Sequence, residues 1–229
     1  MLKRHPYVAC DFPDDAVIWK YFSFTAFLAM IEDGMLYFTR AKYLTDPKEF
    51  PIYKSDADAF PYPNKGYRMD VKGFKNNAFI NCWRLSDYES FGMWNAYADA
   101  ATGIAIKSDV KSLLEAFNVP EYNNPDTTIG KVEYIDSKGM TQKPGERLNF
   151  YYIAFSKTKP YETEKELRLI YNDYKKVFTS KAIGFQANMK TLIKKVYVGP
   201  NAKSYIKDLV EKILKKNNIN AKVIKSIVK

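Results

Sequence analysis

The chain has 229 residues with 46% hydrophobic and 27% charged residues and a formal net charge of +10, which is the composition of a soluble globular protein. It contains no apolar run near the ~20 residues that span a bilayer and no signal-peptide core at its start, so neither membrane insertion nor secretion is expected. Two cysteines are too few for a disulfide scaffold, which favours a reducing, cytosolic compartment.

The first predicted elements form a strand–helix–strand unit. A strand over residues 19–22 is followed by Ser23, whose hydroxyl can cap a helix of about ten residues. Gly34 ends this helix, and residues 35–39 return as a second strand. The three elements are close enough in sequence to pack as one compact unit.

The middle of the chain alternates short elements with loops. Residues 50–76 are rich in Pro, Tyr, Asp and Lys without periodicity, which predicts an irregular loop suited to a lid or a binding loop. Trp94, Tyr97 and Ala98 share one face of a helical segment. Ser108 is the predicted cap of the next helix. The remaining predictions are strands over residues 78–82, 104–107 and 129–135, and helices over 109–117 and 146–156.

The C-terminal segment, residues 190–229, carries most of the positive charge. It holds 11 lysines against Asp208 and Glu211, a balance of +9, whereas residues 1–189 carry +1. Flanking apolar segments complete a strand–helix–strand unit, with Asn201 as the expected helix cap. The helix is predicted from five apolar residues with amphipathic spacing, namely Ile206, Leu209, Val210, Ile213 and Leu214.

The lysine-rich face of this helix has two interpretations. It can bind nucleic acid or an acidic protein partner. It can also act only as a solubilising surface. The second interpretation is favoured because no arginine and only one aromatic side chain, Tyr205, lies among the helix lysines.

Residues 160–171 have the most informative pattern in the chain. From Glu166 on, polar and apolar residues alternate, which predicts a half-buried strand. Glu164, Glu166 and Arg168 would then share one face, while the intervening leucines point into the core. The polar face either pairs with itself at a solvated surface or lines a functional site.

Several common catalytic motifs are absent from the sequence. His5 is the only histidine and lies near the chain start, so a Ser-His-Asp or Cys-His arrangement depends on one poorly placed residue. A Cys/His zinc site would need both Cys10 and Cys82. No glycine-rich dinucleotide or nucleotide loop is present. An enzyme built from this chain therefore depends on carboxylates, Tyr, Arg, Lys and backbone groups.

The order of several motifs resembles a known family. Along the chain these are an aromatic strand, a helix–Gly–strand unit, Asp46-Pro47-x-Glu49, Met93-Trp94-x-x-Tyr97-Ala98, Glu164-x-Glu166-x-Arg168 and Val196-Tyr-Val-Gly199-Pro200. In this order they resemble the bacterial and phage domain-of-unknown-function family 2971 over about residues 17–226. Two positions depart from that family's pattern, because Thr45 replaces its usual Asn and Tyr161 its usual Trp.

The opening unit also resembles the ADP-ribosyltransferase-like toxins. The predicted fold is α+β, a single domain over residues 1–229 with a mixed, curved or split sheet flanked by helices. Its main body covers residues 17–189, and the basic strand–helix–strand unit covers residues 190–229. The toxins often place His or Arg on the first strand, where this chain has Lys20 and Tyr21.

The resemblance to these toxins implies NAD as a substrate and no metal. Cleavage of the nicotinamide–ribose bond needs a carboxylate that stabilises an oxocarbenium-like centre and holds the ribose hydroxyls. Aromatic side chains would sandwich the nicotinamide, and basic side chains would meet the pyrophosphate. For Trp94 and Tyr97 the alternative is an ordinary place in the core. The residues implied are Glu166, Glu164 and Tyr21 for catalysis, and Trp94, Tyr97, Arg168, Arg40 and Lys20 for NAD binding.

Three functions remain open from the sequence, ranked in this order. The first is an NAD-dependent ADP-ribosyltransferase or NAD glycohydrolase of a bacterial toxin or phage-defence system. The second is a non-catalytic nucleic-acid-binding module that uses the C-terminal lysines, with steep salt dependence. The third is a Mg²⁺-dependent nuclease that uses Asp46, Glu49, Glu164 and Glu166.

Overall fold

A computed structural model of the chain describes residues 1–5, 8–44, 50, 71–136 and 150–228. Its strands are β1 (Leu2–Arg4), β2 (Val17–Phe22), β3 (Met35–Arg40), β4 (Ala78–Leu85), β5 (Ile104–Asp109), β6 (Thr127–Lys131), β7 (Glu133–Ile135), β8 (Ser156–Thr158), β9 (Glu166–Asn172), β10 (Ala182–Gln186), β11 (Lys195–Val198) and β12 (Lys222–Lys225). Its α-helices are α1 (Phe24–Asp33), α2 (Val71–Asn77), α3 (Phe91–Tyr97), α4 (Val110–Phe117), α5 (Phe150–Ala154), α6 (Met189–Leu192) and α7 (Ser204–Lys216). In this part of the chain, no helix has the length and apolar character needed to cross a membrane.

Most of these strands join in one mixed sheet. The main path runs β1-β6-β9-β4-β2-β5-β11-β12, and β3 branches from β4 and pairs with β10. The pairs β1–β6 and β11–β12 are parallel, while the other pairs of this sheet are antiparallel. The predicted α+β class with a mixed, split sheet is confirmed.

The sheet forks at β4. One edge of β4 pairs with β9 along seven residues. The other edge pairs with β2 near its end and with β3 near its start, so its middle faces the fork. There the Lys20 ammonium donates to the Cys82 carbonyl oxygen at 2.8 Å, and the Asn81 side-chain amide donates to the Tyr37 carbonyl oxygen at 2.7 Å. Two side chains thus replace ladder hydrogen bonds where β2 and β3 diverge.

Both faces of the sheet are covered. The larger core includes Leu167 and Leu169 and packs against α1, α4 and α7. On the opposite face, a second cluster around Ile170 packs under α5. A third cluster, which holds Trp19, Tyr21 and Trp94, lies between β2 and α3. The central strands are therefore buried from both sides.

The N-terminal unit follows its sequence signals. The Ser23 hydroxyl accepts a hydrogen bond from the Ala26 N–H, as expected of a helix cap. Gly34 ends α1 at a φ of 63°, a left-handed conformation that glycine adopts without steric cost. The predicted apolar face is buried, through Phe27, Met30 and Ile31.

Several predicted elements have different bounds. Helix α2 occupies the end of the segment expected to be irregular, and residues 51–70 of that segment lie outside the described residues. The predicted strand over residues 129–135 is divided at Val132 into β6 and β7. Of the predicted helix over residues 146–156, the described part is α5, and β8 begins at Ser156.

Two local predictions on the middle strands are wrong. Strand β4 continues past the predicted end at residue 82 to Leu85 because β9 keeps pairing with it, so Arg84 lies in the sheet. Asp109 caps α4, since its Oδ1 accepts the Ser112 N–H at 2.7 Å, while Ser108 remains in β5.

The C-terminal unit has the predicted strand–helix–strand order. Ile206, Val210, Ile213 and Leu214 are buried as predicted, whereas Leu209 is 41% exposed. Helix α7 begins after Lys203 rather than Asn201, and Asn217 caps its end. The strand that precedes α7 is limited to Lys195–Val198, because α6 occupies the apolar segment up to Leu192.

Candidate active site

The acidic segment lies in the middle of the sheet. Strand β9 pairs with β6 on one side and with β4 on the other. Leu167 and Leu169 are fully buried, as predicted. Glu166 is only 5% and Arg168 0% exposed, because the second face of β9 is covered as well. The interpretation of this face as a solvated surface is therefore wrong.

Glu166 and Arg168 form a buried bidentate ion pair. The Arg168 Nε donates to Glu166 Oε1 at 2.6 Å, and Arg168 Nη2 donates to Glu166 Oε2 at 3.0 Å. Arg168 Nη1 also donates to the Ala154 carbonyl oxygen at 2.7 Å. Burial alone would raise the pKa of Glu166, but the adjacent Arg168 guanidinium outweighs it and holds that pKa below its usual value.

Glu164 does not lie on the strand, contrary to the prediction. It ends a 3-10 turn over Lys159–Glu164, and Lys165 follows with a left-handed φ of 46°, so β9 begins only at Glu166. The Glu164 carboxylate accepts a hydrogen bond from the Tyr97 hydroxyl at 2.8 Å. Its side chain is 17% exposed, which leaves it partly open to a ligand.

One buried ammonium connects the two carboxylates. Lys157 Nζ lies 2.8 Å from Glu164 Oε2 and 3.8 Å from Glu166 Oε2, and its side chain is only 4% exposed. The ammonium also lies 4.6 Å from the centre of the Tyr161 ring. Sequence reasoning missed Lys157, because it stands in a three-residue strand, too short for a periodic signal.

Two further polar side chains surround this pair of carboxylates, and both were missed from the sequence. The Tyr134 hydroxyl accepts the Glu166 N–H at 2.9 Å. Arg84 stands directly opposite Glu166 in the β4–β9 register and is 8% exposed. Its Nη1 donates to the Thr163 carbonyl oxygen, while its buried Nε has no partner among the described residues. Arg84 thus retains unused donor capacity beside the site.

The predicted aromatic residues have different environments. Tyr21 and Trp94 pack edge to face with 5.2 Å between ring centres, and both are buried. The Tyr21 hydroxyl accepts the Ser90 N–H at 2.9 Å, and burial raises the pKa of Tyr21 to about 12. Tyr97 is 48% exposed, so of the three rings only Tyr97 is available to stack on a ligand. The core interpretation is correct for Trp94.

The hydroxyl of Tyr97 stays protonated at neutral pH. Burial of the hydroxyl and the neighbouring Glu164 carboxylate both raise the pKa of Tyr97 well above its usual value. Tyr97 is therefore a hydrogen-bond donor to Glu164.

The three basic residues predicted to bind NAD are engaged inside the protein. Arg168 is fixed by Glu166, as described above. The Arg40 guanidinium donates to the carbonyl oxygens of Ser180, Asn76 and Phe178 and so connects two backbone segments by hydrogen bonds. Lys20 fills the fork of the sheet, where burial lowers its pKa to about 8. These donors are not available to a pyrophosphate.

Only two of the four carboxylates of the nuclease hypothesis belong to the described residues. Asp46 and Glu49 lie outside the described ranges. The Lys157 ammonium lies between Glu164 and Glu166, where the hypothesis needs a Mg²⁺ ion. Within the described ranges, no group of three or more His, Cys, Asp or Glu side chains is arranged to hold a metal ion.

Comparison with known proteins supports the family resemblance. The family model described as "Protein of unknown function (DUF2971)" matches residues 93–169. The resemblance to family 2971 is confirmed over this third of the chain. The matched segment contains Trp94, Tyr97, Glu164 and Glu166. No curated protein matches the chain significantly.

Solved structures of Thermus sp. 2.9 DarT are similar to this chain at low identity. The complex with ADP-ribosylated ssDNA is 13% identical with a TM-score of 0.42, covering 94% of this chain and 96% of that chain. The complex with carba-NAD+ is 11% identical with a TM-score of 0.41, covering 94% and 97%. The complex with NAD+ is 12% identical with a TM-score of 0.39, covering the same shares. Likeness at this distance assigns no chemistry to the chain.

Proposed function

We propose that this protein consumes NAD, as an ADP-ribosyltransferase or an NAD glycohydrolase. The observation that supports it best is the 2.8 Å hydrogen bond between Tyr97 and Glu164. It joins a partly exposed carboxylate of the acidic segment to an aromatic ring of α3 that is 48% exposed. Cleavage of a nicotinamide–ribose bond needs such a carboxylate, and an open aromatic ring beside it can stack on the nicotinamide.

Glu164, rather than Glu166, takes the catalytic role in this proposal. Both oxygens of Glu166 are held by Arg168, and its side chain is nearly closed to solvent. Glu164 is more open, and Lys157 and Tyr97 fix its orientation. A positioned carboxylate of this kind can stabilise charge that develops only in the transition state.

The reaction follows from this arrangement. The bond between the ribose C1′ and the nicotinamide nitrogen breaks, and its electron pair leaves with neutral nicotinamide. The Glu164 carboxylate stabilises the oxocarbenium centre that remains and accepts hydrogen bonds from the ribose hydroxyls. Water or an acceptor nucleophile then attacks C1′ and passes its proton to Glu164. The Tyr97 ring stacks on the nicotinamide, and Arg84 supplies donors to the pyrophosphate.

Release of nicotinamide from NAD⁺, followed by mass spectrometry, tests the proposal. The Glu164→Gln variant is expected to lose turnover by about 10²-fold or more, because an amide cannot replace the carboxylate in the transition state. Glu162→Gln, an exposed residue of the same turn, is the matched control and should retain activity. Activity should also survive EDTA. Wild-type protein that releases no nicotinamide, or full activity in Glu164→Gln, contradicts the proposal.

A further inference from the structure

A single row of side chains crosses the sheet from the acidic segment to its far edge. Residues directly opposite one another in successive strands project from the same face. With strands ~4.8 Å apart, the row covers ~24 Å. In order across the sheet it consists of Glu166, Arg84, Trp19, Lys107, Lys195 and Lys222.

The far end of this row places three like charges side by side. Lys107 lies opposite Lys195, and Lys195 lies opposite Lys222. Lys195 and Lys222 are exposed, and Lys107 is half-buried with its ammonium 5.2 Å from the centre of the Trp19 ring. Within the described part of the chain, none of the three pairs with a carboxylate. Like charges directly opposite in a sheet reduce stability, so this lysine row suits a polyanionic ligand better than a structural role.

One half-buried aromatic ring lies beside this lysine row, and a second, buried ring packs against it. Tyr197, two residues beyond Lys195 on the same face, is half-buried, and its ring centre lies 4.9 Å from that of Trp19. Basic side chains alternating with aromatic faces are the arrangement that binds single strands, since phosphates meet the charges and unpaired bases stack on the rings.

The carboxylates on this side of the sheet have partners of their own. Asp109 accepts the Ser112 N–H at 2.7 Å, and Glu89 accepts the Trp94 Nε1–H at 3.1 Å. They are therefore engaged in holding α4 and α3. The lysine row remains the dominant charge on this face of β5, β11 and β12.

The lysines of α7 form a contrasting surface. Lys207 lies 3.7 Å from Glu211, and Lys216 lies 2.7 Å from Glu32. Part of their charge is therefore neutralised within the protein. Tyr205, which is 58% exposed, is the one aromatic side chain among the lysines of this helix, and no arginine accompanies it, so the helix is the competing surface that a control variant must test.

We propose that single-stranded nucleic acid binds along the lysine row, with its phosphates on Lys107, Lys195 and Lys222 and a base against Tyr197. The row runs towards Arg84 and Glu166, beside which Glu164 lies, so the strand would bring its acceptor group to the site. Its role as acceptor of ADP-ribose rests on the proposed function, whereas binding itself does not.

Fluorescence anisotropy with a labelled 20-nucleotide oligo-dT tests this proposal on the full chain. The triple variant Lys107→Gln, Lys195→Gln and Lys222→Gln is expected to bind at least tenfold more weakly. The slope of log affinity against log salt should flatten by about 2, since each single-strand phosphate contact contributes ~0.7. The matched control removes the lysine that precedes α7 and two lysines of that helix through Lys203→Gln, Lys212→Gln and Lys215→Gln, and should change affinity by less than twofold.

Folding and function are separated by two further measurements. The lysine-row variant should unfold at the same or a higher temperature than wild type, because repulsion between like charges is relieved. Glu164→Gln should bind the oligonucleotide as wild type does, whether or not the protein releases nicotinamide. Equal losses in both triple variants, equal affinity for duplex DNA, or equal affinity for polyglutamate would overturn the proposal.

Discussion

Two glutamates that are two positions apart differ in environment because their oxygen atoms have different partners. Glu166 is chelated by Arg168 in a nearly dry environment, whereas Glu164 contacts Tyr97 and Lys157 at the margin of solvent. Removing one partner of a buried ion pair leaves the other charge uncompensated. Under the proposed function, substitutions at the two positions should therefore affect stability and turnover differently.

Glu166→Gln is expected to lower the free energy of unfolding by about 3 kcal/mol, because the Arg168 charge remains buried without its counter-ion. Glu164→Gln should lower it by about 1 kcal/mol, since its side chain is partly hydrated and the amide still accepts a hydrogen bond. Equilibrium denaturation in urea measures both. Equal losses in the two variants would mean that the Glu166–Arg168 pair is not a stabilising feature.

At the scale of elements, the turn before β9 decides where Glu164 points. The 3-10 turn over Lys159–Glu164 ends at Lys165, which has a left-handed φ of 46°. The Lys165 carbonyl oxygen accepts the Leu85 N–H at 2.8 Å, which ties the turn to β4. Without this reversal Glu164 would continue the strand and lie on the same face as Glu166.

Substitutions at Lys165 test the importance of this turn. Lys165→Gly should raise the free energy of unfolding by up to about 1 kcal/mol, because glycine adopts a left-handed φ without steric cost. Lys165→Val should lower it by about 1–2 kcal/mol and reduce nicotinamide release, since a β-branched residue disfavours that conformation and displaces Glu164. Both variants remove the same charge. The difference between their thermal unfolding curves therefore measures how much the left-handed backbone conformation at residue 165 contributes to stability. Coincident curves would show that the left-handed conformation is not required.

At the scale of the whole molecule, local signals were predictable and non-local pairing was not. Ser23 and Gly34 bound α1 because capping depends on neighbouring residues alone. The alternation of polar and apolar residues in β9 correctly predicted that its leucines are buried. The same alternation cannot distinguish a solvated polar face from a buried ion pair. Lys157 and Arg84 reach the site only through tertiary contacts, and neither carries a sequence signal for them.

Lys20 makes the stability of the fork depend on pH. Burial lowers the folded-state pKa of Lys20 from its usual 10.5 to about 8, so above pH 8 the unfolded chain binds more protons than the folded one. The free energy of unfolding of the wild type, taken relative to that of Lys20→Met, should therefore rise as pH increases from 7.5 to 9, by at most ~1.4 kcal/mol per pH unit.

Lys20→Met is the control for this pH dependence, because it fills the fork without a titrating group. The comparison also removes the contribution of Cys82, which both proteins contain: burial raises the pKa of Cys82, so its titration in the unfolded state lowers the free energy of unfolding of both as pH rises. Urea denaturation at each pH measures the difference between the two proteins. Parallel curves for wild type and Lys20→Met would contradict a buried, titrating Lys20.

The fork also determines how the sheet is connected. In the described residues, β4 is the one strand hydrogen-bonded to all three branches, namely β9-β6-β1, β2-β5-β11-β12 and β3-β10. If β4 were removed, the three branches would have no backbone hydrogen bonds between them. Loss of β4 pairing would therefore separate the acidic segment on β9 from the lysine row on β5, β11 and β12 in one step. A sheet with a continuous strand order could instead open from one edge while the rest stayed paired.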